Sequence, residues 1–202
     1  MRRKKYPLAI LAPLLLIASI SFAQEPEQKP LDAPKERSLK TIEFLSGFGW
    51  SDLKSNNSYD IFPFLVDLGF DLKPLTKKIG FNPPGILQFE LEPFANFVSY
   101  PDAGAEIGNS FLLKVGILPE TAKIQPYAKL GIGMLYTSEH TREQATQFNF
   151  ISSFGCGAHY FFRKNTAFTL EGRFRHLSNA GIKHPNNGIN TYFVLAGIAY
   201  QF

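Results

Sequence analysis

The 202-residue sequence predicts an all-β fold, an eight-stranded antiparallel transmembrane β-barrel of the bacterial outer membrane. Three observations carry this expectation. The first 23 residues have the form of a secretory signal peptide. Eight alternating runs follow, with no apolar stretch approaching the roughly 20 residues of a spanning helix. The polar face of those runs carries charges of both signs among small residues.

Arg2, Arg3, Lys4 and Lys5 precede an apolar run from Pro7 to Ile20, and Ser21-Phe22-Ala23 puts small residues at the third and first positions before a cut after Ala23. Without those four, 17 of the 21 basic residues remain against 17 acidic ones. The mature chain is thus formally neutral, the pI near 9.1 belongs mostly to the leader, and a nucleic-acid partner is not expected. Cys156 is the single cysteine and cannot close an intrachain disulfide, while Gln24 stands where a lipoprotein needs its acylated cysteine. Residues 24–40, with three prolines and many charges, read as a flexible lead-in. The predicted organisation is therefore signal peptide 1–23, lead-in 24–40 and barrel 41–202.

Within the barrel, aromatic and branched residues alternate with small or polar ones over 41–50, 59–72, 86–98, 108–118, 123–137, 147–162, 167–178 and 189–202. The first run ends at Trp50, which with Tyr100 fits an interfacial aromatic girdle, and gives way to the polar connector SDLKSNNS. The second ends in KPLTKKIGFNPPG, 73–85, too long for a tight periplasmic turn and without an evident role. In the third, Leu87, Phe89, Leu91 and Phe97 oppose Gln88, Glu90, Glu92 and Asn96, and SYPDAGAEI follows. The fourth carries Lys114 and closes on the short LPETAK. The fifth sets Ile124, Ala128, Leu130, Ile132 and Met134 against Gln125, Tyr127, Lys129, Gly131 and Gly133, before SEHTREQAT. The sixth puts Phe148, Phe150, Phe154, Cys156, Ala158, Tyr160 and Phe162 on one face and turns at RKN. The seventh and eighth flank NAGIKHPNNG. Short connectors on one side and long polar ones on the other match periplasmic turns and external loops.

A soluble barrel would place the apolar face inside and the charged face in water. Here Glu90, Glu92, Lys114, Lys129, Glu171, Arg173 and Arg175 mix signs among glycines, which suits a narrow lumen of paired charges. The ending Tyr200-Gln201-Phe202 also resembles the terminal aromatic signature of outer-membrane barrels.

The seventh run places His176 and Ser178 on its lipid-facing side with Phe168, Leu170 and Phe174, where the pattern calls for apolar residues. At i and i+2 the two side chains project together, so that an imidazole can take the hydroxyl proton as Ser178 attacks a carbonyl carbon. The plainer reading is a polar rim pair where the strand leaves the bilayer. Asn179-Ala180-Gly181 supplies a short amide and a flexible backbone suited to an oxyanion; otherwise it starts a turn. Pro185-Asn186-Asn187-Gly188 is turn chemistry returning the chain to the eighth run.

The stretch His-x-Ser-Asn-Ala-Gly (His176 to Gly181) followed by Pro-Asn-x-Gly (Pro185 to Gly188) resembles the outer-membrane lipid A 3-O-deacylase family, PagL. The resemblance is sharp over about the last 30 residues and architectural before them. It implies an eight-stranded barrel and a serine esterase that removes a hydroxyacyl chain from lipid A in the outer leaflet without a cofactor. It further implies His176 as general base, Ser178 as nucleophile, and Asn179 and Gly181 at the oxyanion. The family's Glu, fourteen residues after the His, is here Asn190. Strand parity groups Asn190 with Tyr192, Val194 and Ala196 and puts it beside His176 in the hairpin. Asn190 can orient the imidazole but cannot balance its charge, and Glu171 points into the lumen.

Lys183 is a candidate contact for a lipid A phosphate, or a solvated loop lysine. His159 reads as a hydrogen-bonded lumen filler and His140 as a loop residue, and no ligand spacing suggests a metal. Outer-membrane lipids are the expected surroundings, and a homodimer contact on the lipid face would read the same way. Two rival functions remain: a barrel whose site has decayed to a structural or lipid-binding role, and an esterase acting on phospholipid.

Overall fold

The computed structural model describes residues 38–53, 58–100 and 102–202; the signal peptide and nearly all of the lead-in lie outside the described residues. The strands are β1 (Leu39–Trp50), β2 (Asp60–Asp71), β3 (Leu87–Tyr100), β4 (Gly104–Gly116), β5 (Ile124–Thr137), β6 (Phe148–Arg163), β7 (Thr166–Ser178) and β8 (Ile189–Gln201). Each pairs antiparallel with its neighbour in sequence, and β1 pairs with β8, closing the barrel. Closure leaves no strand edge unpaired, a requirement for β-structure in hydrocarbon.

Strand bounds differ from the sequence-based runs by a few residues at most ends. The largest difference is between β3 and β4, where the expected long loop shrinks to three residues because Asn96↔Glu106 and Val98↔Gly104 continue the ladder. The 73–85 connector is partly helical, with α1 (Lys73–Thr76) and a 3-10 turn (Lys77–Ile79). It lies with the 117–123 and 164–165 turns and the two strand termini at one end of the barrel, the periplasmic end by the rule that outer-membrane barrels turn tightly there.

Alternation sorts the side chains as the runs require. Phe44, Phe64, Ile107, Leu130, Phe154 and Leu170 stand exposed on the outer wall. Inside, Lys114 reaches Glu43 at 3.0 Å and Glu90 at 2.8 Å, while Lys129 reaches Asp67 at 2.5 Å and Glu90 and Glu171 at 3.1 Å. Arg173 joins Glu171 and Glu92, and Arg175 grips Glu106 with two nitrogens at 2.7 and 3.1 Å. Charges buried this deeply persist only when paired and hydrogen-bonded.

The lumen is not polar throughout. Toward the external end Leu45, Ile61, Leu65, Phe94, Val98, Leu135, Ile151, Leu177, Ile189 and Phe193 form one apolar cluster. Leu177 and Ile189 pair across the β7–β8 hairpin and are 2% and 4% exposed, so the inner face of this hairpin is anchored in that cluster.

Candidate active site

Because successive side chains on a strand alternate in direction, burying Arg175 and Leu177 turns His176 and Ser178 outward. Across the hairpin the same alternation buries Ile189 and Thr191 and turns Asn190 outward. The register sets His176 opposite Asn190, and His176 Nδ1 lies 2.7 Å from Asn190 Oδ1. An amide oxygen can only accept, so Nδ1 carries the proton and Nε2 presents its lone pair. Ser178 stands two residues along the same face, opposite Phe150 of β6, and its hydroxyl has no hydrogen-bond partner among the described residues.

Gly188 (φ 74), which ends the Pro-Asn-x-Gly motif and otherwise reads in the sequence as a turn residue, is a member of the site. A Cβ there would come within 2.5 Å of His176 Cε1 and 3.2 Å of Nε2, so the bare glycine forms one wall against the imidazole. The two halves of the motif also hold each other. Asn186 Oδ1 accepts from Asn179 N at 2.9 Å, and the fully buried Asn179 donates through Nδ2 to Lys183 O at 2.7 Å. Gly181 N donates to Asn179 Oδ1 at 3.0 Å. Asn179 and Gly181, expected at an oxyanion, therefore spend these donors on the loop in this arrangement. Ala180 between them adopts φ 54 and its N–H has no partner among the described residues.

The β5–β6 loop supports this turn from the side, a contact with no signal in the alternation pattern. Ala145 N donates to Pro185 O at 3.0 Å, Asn187 N donates to Glu143 O at 2.9 Å, and Gln144 bridges to Asn186. Lys183 and His184 are exposed in the loop. Toward the bilayer, Tyr192 packs tilted against Phe174, with ring centroids 5.4 Å apart, and against Trp50 at 6.2 Å, and Phe150 meets Phe148 at 5.3 Å. The triad-like pair thus opens onto an aromatic, lipid-exposed wall.

Other titratable groups serve the lumen. His159 Nδ1 lies 2.8 Å from Thr169 Oγ1, and Glu171 accepts from Tyr127 at 2.8 Å and from Arg173 at 2.6 Å, across the sheet from His176. Glu43, Asp67 and Glu90 converge as metal ligands can, but the ammonium groups of Lys114 and Lys129 already sit among them.

The profile of the family described as lipid A 3-O-deacylase (PagL) matches residues 86–199, from the start of β3 to within two residues of the end of β8 and including the whole site. The crystal structure of the outer membrane enzyme PagL is similar with a TM-score of 0.56 at 16% identity, covering 78% of this chain and 97% of that one. Neisserial surface protein A is similar with a TM-score of 0.58 at 11% identity, covering 80% and 96%. At these identities the structural likeness concerns the fold. No curated protein matches the chain in sequence.

Proposed function

The chain belongs to the lipid A 3-O-deacylase (PagL) family, and from that premise we propose that it is a serine esterase hydrolysing the ester-linked 3-O-hydroxyacyl chain of lipid A in the outer leaflet. The observation that carries the reading is the 2.7 Å contact between His176 Nδ1 and Asn190 Oδ1 on a lipid-facing hairpin, with Ser178 beside it. A polar pair open to hydrocarbon is costly unless the substrate is itself a membrane lipid.

In this mechanism Ser178 Oγ attacks the ester carbonyl carbon as His176 Nε2 takes its proton. The tetrahedral oxyanion collapses, and the imidazolium returns the proton to the departing sugar oxygen. Water, activated by the same Nε2, then attacks the acyl-serine and releases a hydroxy fatty acid. Asn190 keeps the imidazole in the tautomer that each step needs. Asn179 and Gly181 shape the loop beside the developing oxyanion; the free Ala180 N–H is a donor in that loop, and either Gly181 or Asn179 can join it by releasing its present partner. In this reading the exposed Lys183 pairs with a lipid A phosphate. No step calls for a cofactor.

A serine-directed phosphonate tests the reading. It should label the folded barrel and leave Ser178→Ala unlabelled. No labelling of folded wild type would instead support a barrel with a decayed site, the rival that the uncharged Asn190 favours. Competition between lipid A and phospholipid for labelling assigns the ester.

A further inference from the structure

The connector from Lys73 to Gly85 is ordered, rich in lysine and exposes large apolar side chains, although nothing in the esterase reading uses it. Its start is fixed by Leu72 N donating to Leu87 O at 3.0 Å and by an ion pair between Lys73 and Glu120. Its end is wedged against the next turn. Glu120 N donates to Pro84 O at 3.3 Å, Gly116 N donates to Ile86 O at 2.7 Å, and a Cβ on Gly85 would lie 2.2 Å from Gly116 O. The two periplasmic connectors are therefore one platform.

That platform presents Leu75 (62% exposed), Ile79 (82%), Phe81 (52%) and, from the second connector, Ile117 (72%) and Leu118 (42%). A built surface of this kind is held exposed for an occupant. Ile117 has the parity of Phe111 and Leu113, the lipid-facing residues of β4, and so extends the outer wall past the strand end. Between residues 73 and 85 there are three lysines and no acidic residue. Lys73 is occupied by Glu120, whereas Lys77 and Lys78 are exposed and without partners among the described residues.

We propose that this platform is an interfacial anchor in the periplasmic phospholipid leaflet, with Leu75, Ile79, Phe81 and Ile117 at the acyl boundary and Lys77 and Lys78 on anionic headgroup phosphates. Apolar residues flanked by lysines at the edge of a membrane wall are the pattern that seats a segment in the interface. The anchor fixes how deep the barrel sits, and hence the height at which the opposite end meets the outer leaflet. It depends on the membrane placement of the barrel and not on the esterase reading.

Trp50 is the single tryptophan, so Trp50→Phe combined with Ile79→Trp creates one reporter, with Leu75→Trp as a second should the first not fold. Folding is checked by heat-modifiable gel mobility. The barrel is reconstituted in phosphatidylcholine vesicles with and without phosphatidylglycerol and exposed to bromine-labelled phospholipid or to acrylamide. The proposal expects blue-shifted emission, strong quenching by bromolipid, protection from acrylamide, and added protection with phosphatidylglycerol that Lys77→Gln/Lys78→Gln removes. Emission quenched by acrylamide as in the unfolded chain and untouched by bromolipid would overturn it and leave the platform to a periplasmic protein. Lipid quenching without any effect of phosphatidylglycerol would overturn the assignment of the two lysines.

Discussion

Asn190 Oδ1 meets His176 Nδ1 at 2.7 Å across the β7–β8 pair, in the place where the family's acid is expected. The shorter side chain thus reaches the ring without any shift of register. What it lacks is charge: an amide holds the tautomer but does little for the imidazolium formed as Ser178 attacks. In a serine protease the corresponding neutral residue costs about four orders of magnitude, part of it through the wrong tautomer.

Asn190→Asp keeps the size of the side chain and adds the charge. It should raise kcat for ester hydrolysis by about tenfold or more, within the range that the missing charge can cost, with KM little changed. Asn190→Leu should lower kcat by a similar factor. Steady-state kinetics on a chromogenic ester in detergent checks both, and an Asp variant no faster than wild type would show that charge at this position is not limiting.

Gly188→Ala would press a methyl group against His176 Cε1 and force a non-glycine residue to φ 74. Displacing a catalytic group by about 1 Å can cost about 100-fold, and the backbone strain adds about 1 kcal/mol to the cost of folding. The variant should therefore lose most of its kcat while still folding to a heat-modifiable barrel.

Glu106→Gln removes the charge that Arg175 grips with two nitrogens and that Tyr59 and Asn96 also contact. Leaving a buried guanidinium without its counter-charge costs about 3 kcal/mol. Because Arg175 is the inward neighbour of His176, urea unfolding midpoints and activity should fall together.

Glu120 lies on a periplasmic turn outside the strands. Burial pushes its carboxyl up, but hydrogen bonds from Lys73 and Lys40 outweigh this and hold it below the usual carboxylate range. A lowered folded value contributes stability above the unfolded value of about 4.3 and loses it as pH falls through the folded one. Glu120→Gln should thus destabilise the barrel at pH 7, by about 1 kcal/mol or less for a partly exposed pair. The difference from wild type should shrink as pH falls from the unfolded value of about 4.3 through the lower folded one, as read from urea midpoints.

Alternation was enough to place eight strands and to set Glu90, Lys114, Lys129, Glu171, Arg173 and Arg175 inside, because a membrane barrel imposes a period of two on every strand. The same parity brought Asn190 beside His176. It could not reveal the upper apolar layer as a layer, since residues such as Leu65, Leu135 and Phe193 alternate with outward residues that are equally apolar. Nor could it reveal what Asn179 does. Its hydrogen bonds to Lys183, Pro185 and Gly181, and the clasp from Ala145 and Glu143, join loop segments whose contacts have no periodicity. The role of Gly188 needed the ring position of His176, which only the folded hairpin supplies.

The central claim is tested most directly by mass spectrometry of lipid A from cells carrying the wild-type barrel or Ser178→Ala in the outer membrane. The account predicts loss of one hydroxyacyl chain with the wild type and intact lipid A with the variant. An unchanged spectrum from inserted wild-type protein, or the same loss with Ser178→Ala, would contradict it.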